Sequence, residues 1–255
     1  MTDTVLTAID GGVLTITLNR PAKKNALTGA MYERFAGALV AAENDPAVRA
    51  VLIEGVSGAF CAGNDLEDFL AGGEIREARP SHLLINALAR TTLPLVAAVD
   101  GVAIGIGTTM LLHCDFVYAS SQARFALSFV NIGVCAEAGS SLLLPRLAGY
   151  QKAAELLLLG ETFDAAAAVG FGLVGAVLEG DALREQARAT AAKLAAKPRA
   201  AVRTTKALLR RREEPLEDRI RQEIVDFTEL LRGPAAQEIM GAFLEKRAPD
   251  RSRYD

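Results

Sequence analysis

Val13-Leu-Thr-Ile-Thr-Leu18 alternates apolar and polar residues with period two, and Asp10-Gly-Gly12 before it is a turn signal, so the chain is predicted to open with a hairpin. After Asn19-Arg-Pro21 the period changes. Thr28 can cap a helix from about Gly29 to Asn44, with Met31, Phe35, Leu39 and Val40 on its apolar face and Asp45-Pro46 as its stop. Ala50-Val-Leu-Ile-Glu-Gly55 then reads as a short buried strand, and Leu95 to Val99 and Phe116 to Ala119 read as two more. Downstream, Gln151 to Leu159 and Ala165 to Gly170 have helical patterns, Leu173 to Leu178 a strand pattern, and Ala182 to Ala196 a helical one. Strands alternating with helices predict an α/β fold with largely parallel pairing. From Lys197-Pro198 onward no strand pattern appears. The runs Arg210-Arg-Arg-Glu-Glu214 and Leu216 to Ile224 mix charges with apolar residues near helical spacing, as amphipathic helices with a solvated face do. The expected division is a core over 1–196 and a helical region over 197–255, whose apolar faces could pack on a neighbouring subunit. The glycine-containing, charged stretch from Leu70 to Pro80 is expected to be a mobile surface loop.

Composition narrows the function. A chain of 255 residues with 51% hydrophobic content can bury a sizeable core, as one large domain or one domain with an appendage. The net charge of -3 and pI near 5.6 supply no basic footprint, so nucleic acid is not an expected partner. Cys61, Cys114 and Cys135 are few and lack CxxC spacing; they read as small buried apolar residues rather than a disulfide framework or zinc site. His82 and His113 are the only histidines and no HExxH occurs, so no metal site is expected and His113 reads as packed or capping. With no signal-like start and no retention or peroxisomal tripeptide at the end, the expected location is the cytoplasm. Leu93 to Leu112 is about the length of a membrane span, but Pro94, Asp100, Gly101, Gly105 and Gly107 interrupt it. It reads better as strand, turn and buried helix.

That stretch carries the candidate chemistry. Gly101-Val-Ala-Ile-Gly-Ile-Gly-Thr-Thr109 turns from a strand into a helix start, where backbone N–H groups lack internal partners and can hold a developing negative charge. Phe60-Cys-Ala-Gly-Asn-Asp-Leu66 is a second glycine turn after a strand-like run, and two such turns can give one donor each to a single oxygen. A dinucleotide fingerprint would need glycine where Met110 stands, and neither a Walker lysine nor a G-x-S-x-G elbow occurs. Glu137, in Val134-Cys-Ala-Glu-Ala-Gly-Ser-Ser141, has two readings: a carboxylate at a helix start, or an acid raised in pKa by Cys, Ala and Gly neighbours and so suited to proton transfer.

Taken together the chain strongly resembles the crotonase, or enoyl-CoA hydratase/isomerase, family. The matching residues are Leu18-Asn-Arg-Pro21 with Asn25-Ala-Leu27, Phe60 to Leu66, Asp100 to Gly107, Cys114-Asp115, Pro145-Arg-Leu147 and Gly172-Leu-Val174, in family order over roughly residues 5 to 180. The resemblance implies a crotonase-like ββα spiral core with an acyl-CoA site, a C-terminal helical trimerisation region, and a homotrimer or a hexamer built as a dimer of trimers. It implies that the N–H groups of Asn64 and Ile106 bind the thioester carbonyl, with Gly63 and Gly105 letting the backbone approach. Ala62, Asp65 and Leu66 match the stretch that contacts the adenine end of coenzyme A, and Lys23 and Lys24 could equally meet its phosphates or stand solvated. Coenzyme A would be part of the substrate; no separate cofactor or metal is implied.

The departures from the family pattern point to a subtype. Where typical hydratases carry two glutamates, this chain has Thr109 and Phe129, neither a base. Glu137 instead matches the single catalytic glutamate of peroxisomal-type 3,2-enoyl-CoA isomerases. The implied reaction is double-bond migration from 3-enoyl-CoA to 2-trans-enoyl-CoA. The alternatives are a hydratase or other thioester-enolate chemistry on the same fold, and a non-catalytic acyl-CoA-binding protein.

Overall fold

The computed structural model describes residues 3–56, 58–71, 79–211 and 214–254. The chain opens with the antiparallel hairpin of β1 (Val5–Asp10) and β2 (Val13–Leu18), pairing Val5 with Leu18 and Asp10 with Val13. Leu14, Ile16 and Leu18 are buried and the residues between them less so, the outcome that period-two alternation dictates. Helix α1 (Gly29–Asn44) follows, its first turn capped by the Thr28 hydroxyl, which accepts from the Met31 N–H. Met31, Phe35 and Leu39 face the core, whereas Val40, expected on the same face, is 55% exposed. At the helical advance of about 100° per residue, Val40 falls beyond the edge of the buried stripe.

Three ββ units come next. In the first, β3 (Ala50–Gly55) is joined by a short corner to β4 (Ala59–Cys61), and α2 (Leu66–Ala71) and α3 (Pro80–Arg90) follow. Residues 72–78 of the expected surface loop lie outside the described residues, and its two ends belong to these helices. In the second unit, β5 (Leu95–Val99) leads to β6 (Val102–Ile104) and the single turn α4 (Ile106–Thr109), continued as a tighter turn over Met110–His113. In the third, β7 (Phe116–Ala119) leads to β8 (Arg124–Ala126). The first member of each unit joins one sheet and the second member joins another. Helices α5 (Ser140–Ala148) and α6 (Tyr150–Ala154), strand β9 (Thr162–Asp164), helix α7 (Ala165–Gly170) and strand β10 (Ala176–Val177) complete them. The large sheet runs β1-β2-β3-β5-β7-β10 and the small one β4-β6-β8-β9; beyond the β1–β2 hairpin, only the β8–β9 pairing is antiparallel. This is a spiral of ββα turns, a mixed α/β fold.

Strands β3 and β5 are buried along their whole length because both faces of the large sheet are covered, which is why β5 and Ala50 to Ile53 of β3 read as apolar runs. Helix α8 (Asp181–Ala195) covers one face, packing Leu183, Ala187 and Ala191 on Leu52, Val96 and Ala98. Strands β4, β6, β8 and β9 escaped the sequence reading because three residues are too few to display a period. The corner between β5 and β6 shows what shortens them. Gly101 takes φ +74, and a Cβ there would stand 1.7 Å from the Gly58 carbonyl oxygen of the preceding corner. Successive corners stack backbone on backbone. Of the expected strand Leu173 to Leu178, only Ala176–Val177 pairs. Helices α9 (Arg199–Leu209), α10 (Leu216–Arg232) and α11 (Pro234–Leu244) follow, and among the described residues after Lys197 there is no strand. The cysteine expectation holds only for Cys61: Cys114 is half-buried and Cys135 is exposed, because the segment before α5 lies at the surface.

Candidate active site

Because β4 and β6 are neighbours, with Cys61 paired to Ala103, the two glycine turns emerge side by side. Their separation is set by Gly107, where a Cβ would stand 2.3 Å from the Cys61 carbonyl oxygen. Gly63 has φ +95, and a Cβ on it would meet the Ile104 oxygen at 3.0 Å; Gly105 has φ +56 but ample room. So Gly105 serves backbone conformation, while the close approach falls to Gly63 and above all to Gly107.

Among the described residues, the N–H groups of Asn64 and Ile106 meet no acceptor. Leu27 brackets Asn64: its N–H donates to the Gly63 oxygen at 2.8 Å and its oxygen accepts from the Asp65 N–H at 2.9 Å. In such a parallel bridge the Asn64 N–H points to the other side, and it meets no acceptor among the described residues. Ile106 is the first residue of α4, so its N–H has no partner one turn back, while the Gly105 oxygen accepts from Thr108 and Thr109. Two backbone donors on adjacent turns can stabilise one oxyanion.

Glu137 precedes α5 on a tightly wound segment. Ala138 and Gly139 are both left-handed, with φ +53 and +70, a conformation that only glycine adopts without penalty. Two anchors hold it. The Glu137 carbonyl accepts from the N–H and hydroxyl of Ser140, and the His113 Nε2–H donates to the Ala138 carbonyl at 2.8 Å. His113 is thus packed and hydrogen-bonded, with burial as the main force holding its imidazole neutral. The Glu137 side chain is half-buried and its Oε1 is buried without a hydrogen-bond partner among the described residues. Burial raises its pKa, opposed only by charge on His82 of α3. Its own charge adds to the burial that raises the Tyr32 phenol, and burial pushes the Cys61 thiol up to about 12 with Glu137 adding to it. The carboxylate therefore lies within electrostatic reach of α1 and the β4 turn, and the thiol beside it stays protonated.

The two positions that the resemblance matches to hydratase glutamates hold no acid. Thr109 is fully buried with an unpartnered hydroxyl, and Phe129 packs into a small cluster with Leu127, Leu144, Ala153 and Leu156. The residues matched to the coenzyme A end fall in one region but differ in availability. Lys23 and Lys24 are exposed, Lys23 at 3.6 Å from Glu67, and Leu66 is exposed while Ala62 is half-buried. Asp65 is turned inward: its carboxylate accepts from Arg20 at 2.6 Å and from the Asp68 N–H at 3.1 Å, and these bonds hold it below the usual carboxylate range. Its side chain is thus committed to the fold.

Three further residues shape the site: Arg20 and Asn25, which stood in the matching motifs without a role, and Tyr32, which no motif contained. Asn25 is fully buried, accepting from the Arg20 N–H at 2.7 Å and donating to the Ala59 oxygen at 2.6 Å, so it ties the Asn-Arg-Pro turn to β4. Arg20 adds a bond to the Ala26 oxygen. Tyr32 donates its buried hydroxyl to Asn64 Oδ1 at 2.5 Å. The available signal was a tyrosine on the core-facing stripe of a helix, since its hydroxyl must find a partner inside.

Among the described residues no three His, Cys, Asp or Glu side chains gather as metal ligands would, and no helix is long and apolar enough to cross a membrane. The model of the enoyl-CoA hydratase/isomerase family matches residues 8–252. A 1,2-epoxyphenylacetyl-CoA isomerase of Escherichia coli (strain K12) is 31% identical over 98% of both chains. A 2,3-dehydroadipyl-CoA hydratase of the same organism is 36% identical over 93% of this chain and 94% of its own. Among solved structures, an enoyl-CoA hydratase/isomerase from Pseudoalteromonas atlantica T6c superimposes with TM-score 0.80 at 38% identity, covering 97% of this chain and 99% of that one. A candidate enoyl-CoA hydratase/carnithine racemase from Magnetospirillum magneticum AMB-1 reaches TM-score 0.95 at 47% identity over 99% and 100%. With its ββα spiral, its paired glycine turns and a family match across nearly its whole length, the chain belongs to the enoyl-CoA hydratase/isomerase, or crotonase, family.

Proposed function

We propose that the protein converts a 3-enoyl-CoA to the 2-trans-enoyl-CoA. The observation that carries this reading is the lone carboxylate: Glu137 has a buried, unpartnered Oε1, while Thr109 and Phe129 occupy the positions of the hydratase pair. One base suffices for double-bond migration. The Glu137 carboxylate takes a proton from C2, the electron pair moves onto the thioester oxygen, and the N–H groups of Asn64 and Ile106 stabilise the resulting dienolate. Protonated Glu137 then returns the proton at C4, the electrons shift into the C2–C3 bond, and the enzyme is restored. Water is neither added nor lost.

Coenzyme A is part of the substrate in this reading and no further cofactor takes part. Lys23, Lys24, Ala62 and Leu66 form the region offered to its nucleotide end, with Asp65 acting through the Arg20 bond that holds the turn. The assembly proposed is a homotrimer, alone or paired into a hexamer, working in the cytoplasm. Glu137→Gln keeps the shape and removes the base, so turnover of 3-hexenoyl-CoA should fall about 10²- to 10⁴-fold. An unchanged rate would remove Glu137 from the mechanism. The names of several relatives favour a second reading, hydration of a 2-enoyl-CoA. Loss of the conjugated chromophore of a 2-enoyl-CoA at a rate exceeding isomerisation would establish it. Thermal stabilisation by CoA esters with no turnover of either substrate would leave a binding protein.

A further inference from the structure

We propose that Tyr32 is a positioning residue for the thioester-binding turn, acting through the side chain of Asn64; this rests on the reading of the Asn64 N–H as an oxyanion donor. Tyr32 lies in the first turn of α1 and is 3% exposed. Its hydroxyl donates to Asn64 Oδ1 at 2.5 Å, a bond spanning 32 residues that ties the helix to the β4 turn. Backbone carbonyls satisfy most buried hydroxyls; here the partner is the side chain of the residue whose main-chain N–H is turned into the site. With Oδ1 so occupied, the amide plane is fixed, and its NH₂ group meets no acceptor among the described residues.

Leu27 holds the backbone of residue 64 from one side and Tyr32 holds its side chain from another, so the turn is restrained at both. Burial, with the Glu137 charge adding to it, keeps the phenol protonated, so it remains a donor throughout the working pH range. Without the hydroxyl, the amide is free to rotate and the N–H to drift from the position of the developing oxyanion. Such drift weakens transition-state stabilisation more than substrate binding.

The test is a double-mutant cycle of Tyr32→Phe and Asn64→Ala, read by 3-hexenoyl-CoA kinetics and by the enolate absorption that bound acetoacetyl-CoA develops. Tyr32→Phe keeps the buried ring, and thermal melting checks its fold. The expected result is a kcat about three- to tenfold lower, an unchanged KM, a weaker enolate band, and no further loss when the change is made in Asn64→Ala. Equal losses in both backgrounds, or wild-type kcat and enolate band in Tyr32→Phe, would overturn the proposal. If the wild type forms the enolate but does not isomerise 3-hexenoyl-CoA, the isomerase reading fails alone and the enolate band decides the role of Tyr32. If it binds no acyl-CoA, both fail together.

Discussion

Glu137 has the two properties a base in this site needs: an Oε1 with no hydrogen-bond partner among the described residues, and a burial that makes its charged form less favourable. The sign of the consequence for stability follows. Its folded pKa lies above the unfolded value, so as pH rises the unfolded chain releases the proton first. Stability is undiminished below the usual carboxylate range, declines as pH climbs toward the folded value, and stays lower above it. Glu137→Gln should therefore melt higher than wild type at neutral pH, with the difference vanishing below the usual carboxylate range. Melting temperatures across that range check this; a gap independent of pH would mean that the charge is not the cause. With Glu137 as the proposed base, the same shift should move the acid limb of the activity profile upward, since a base must be ionised to act. That Glu137 stands among apolar surroundings that raise its pKa was legible from its neighbours in the chain. That His113 grips the next carbonyl was not, because 25 residues separate the partners in the chain.

At the scale of elements, the site depends on how closely two short strands and the turns after them approach. Gly107 packs against the Cys61 carbonyl with no space for a Cβ. Gly107→Ala should force the α4 and β4 turns apart, costing about 1–3 kcal/mol of stability, as overpacking does, and lowering kcat by misaligning the Ile106 donor. Denaturant unfolding together with turnover checks both parts; wild-type stability would show that the contact relaxes freely. Longer elements were the legible ones. Helix α1 declared its start through Thr28 and its buried face through Met31, Phe35 and Leu39, while β5 and the first four residues of β3 declared burial through apolar runs. The small sheet was invisible because its strands are set by pairing and corner packing rather than by any local period.

Across the whole molecule, α9 fastens the helical region to the spiral at one buried point. Lys206 is 5% exposed, and its Nζ donates to the Leu93 oxygen at 2.5 Å and to Asp115 Oδ2 at 2.7 Å. Asp115 also accepts from the Leu95 N–H, and Arg210 bonds the His113 carbonyl, so the helix reaches the start of β5 and the base of the segment that supports Glu137. At the far end of α1, Arg203 adds a bond of 2.6 Å to Glu43. Lys206→Met keeps the volume of the side chain but leaves Asp115 without its main cation. The expected loss is about 3 kcal/mol, typical of breaking a buried pair, measured by denaturant unfolding. A loss within about 0.5 kcal/mol, the range of surface substitutions, would show that Arg210 takes over.

The sequence by itself determined the class of fold, the long elements and the two glycine turns, because periodicity, capping and positive-φ glycines are local properties of the chain. It offered two readings of Glu137, and the family resemblance put that residue forward as the base. Only the tertiary structure decided that the turns emerge side by side, that Gly107 sets their spacing, and that Asp65 spends its charge on Arg20. It alone joined Tyr32 to Asn64. These are contacts between segments far apart in the chain, and no local pattern encodes which distant backbone a residue will meet.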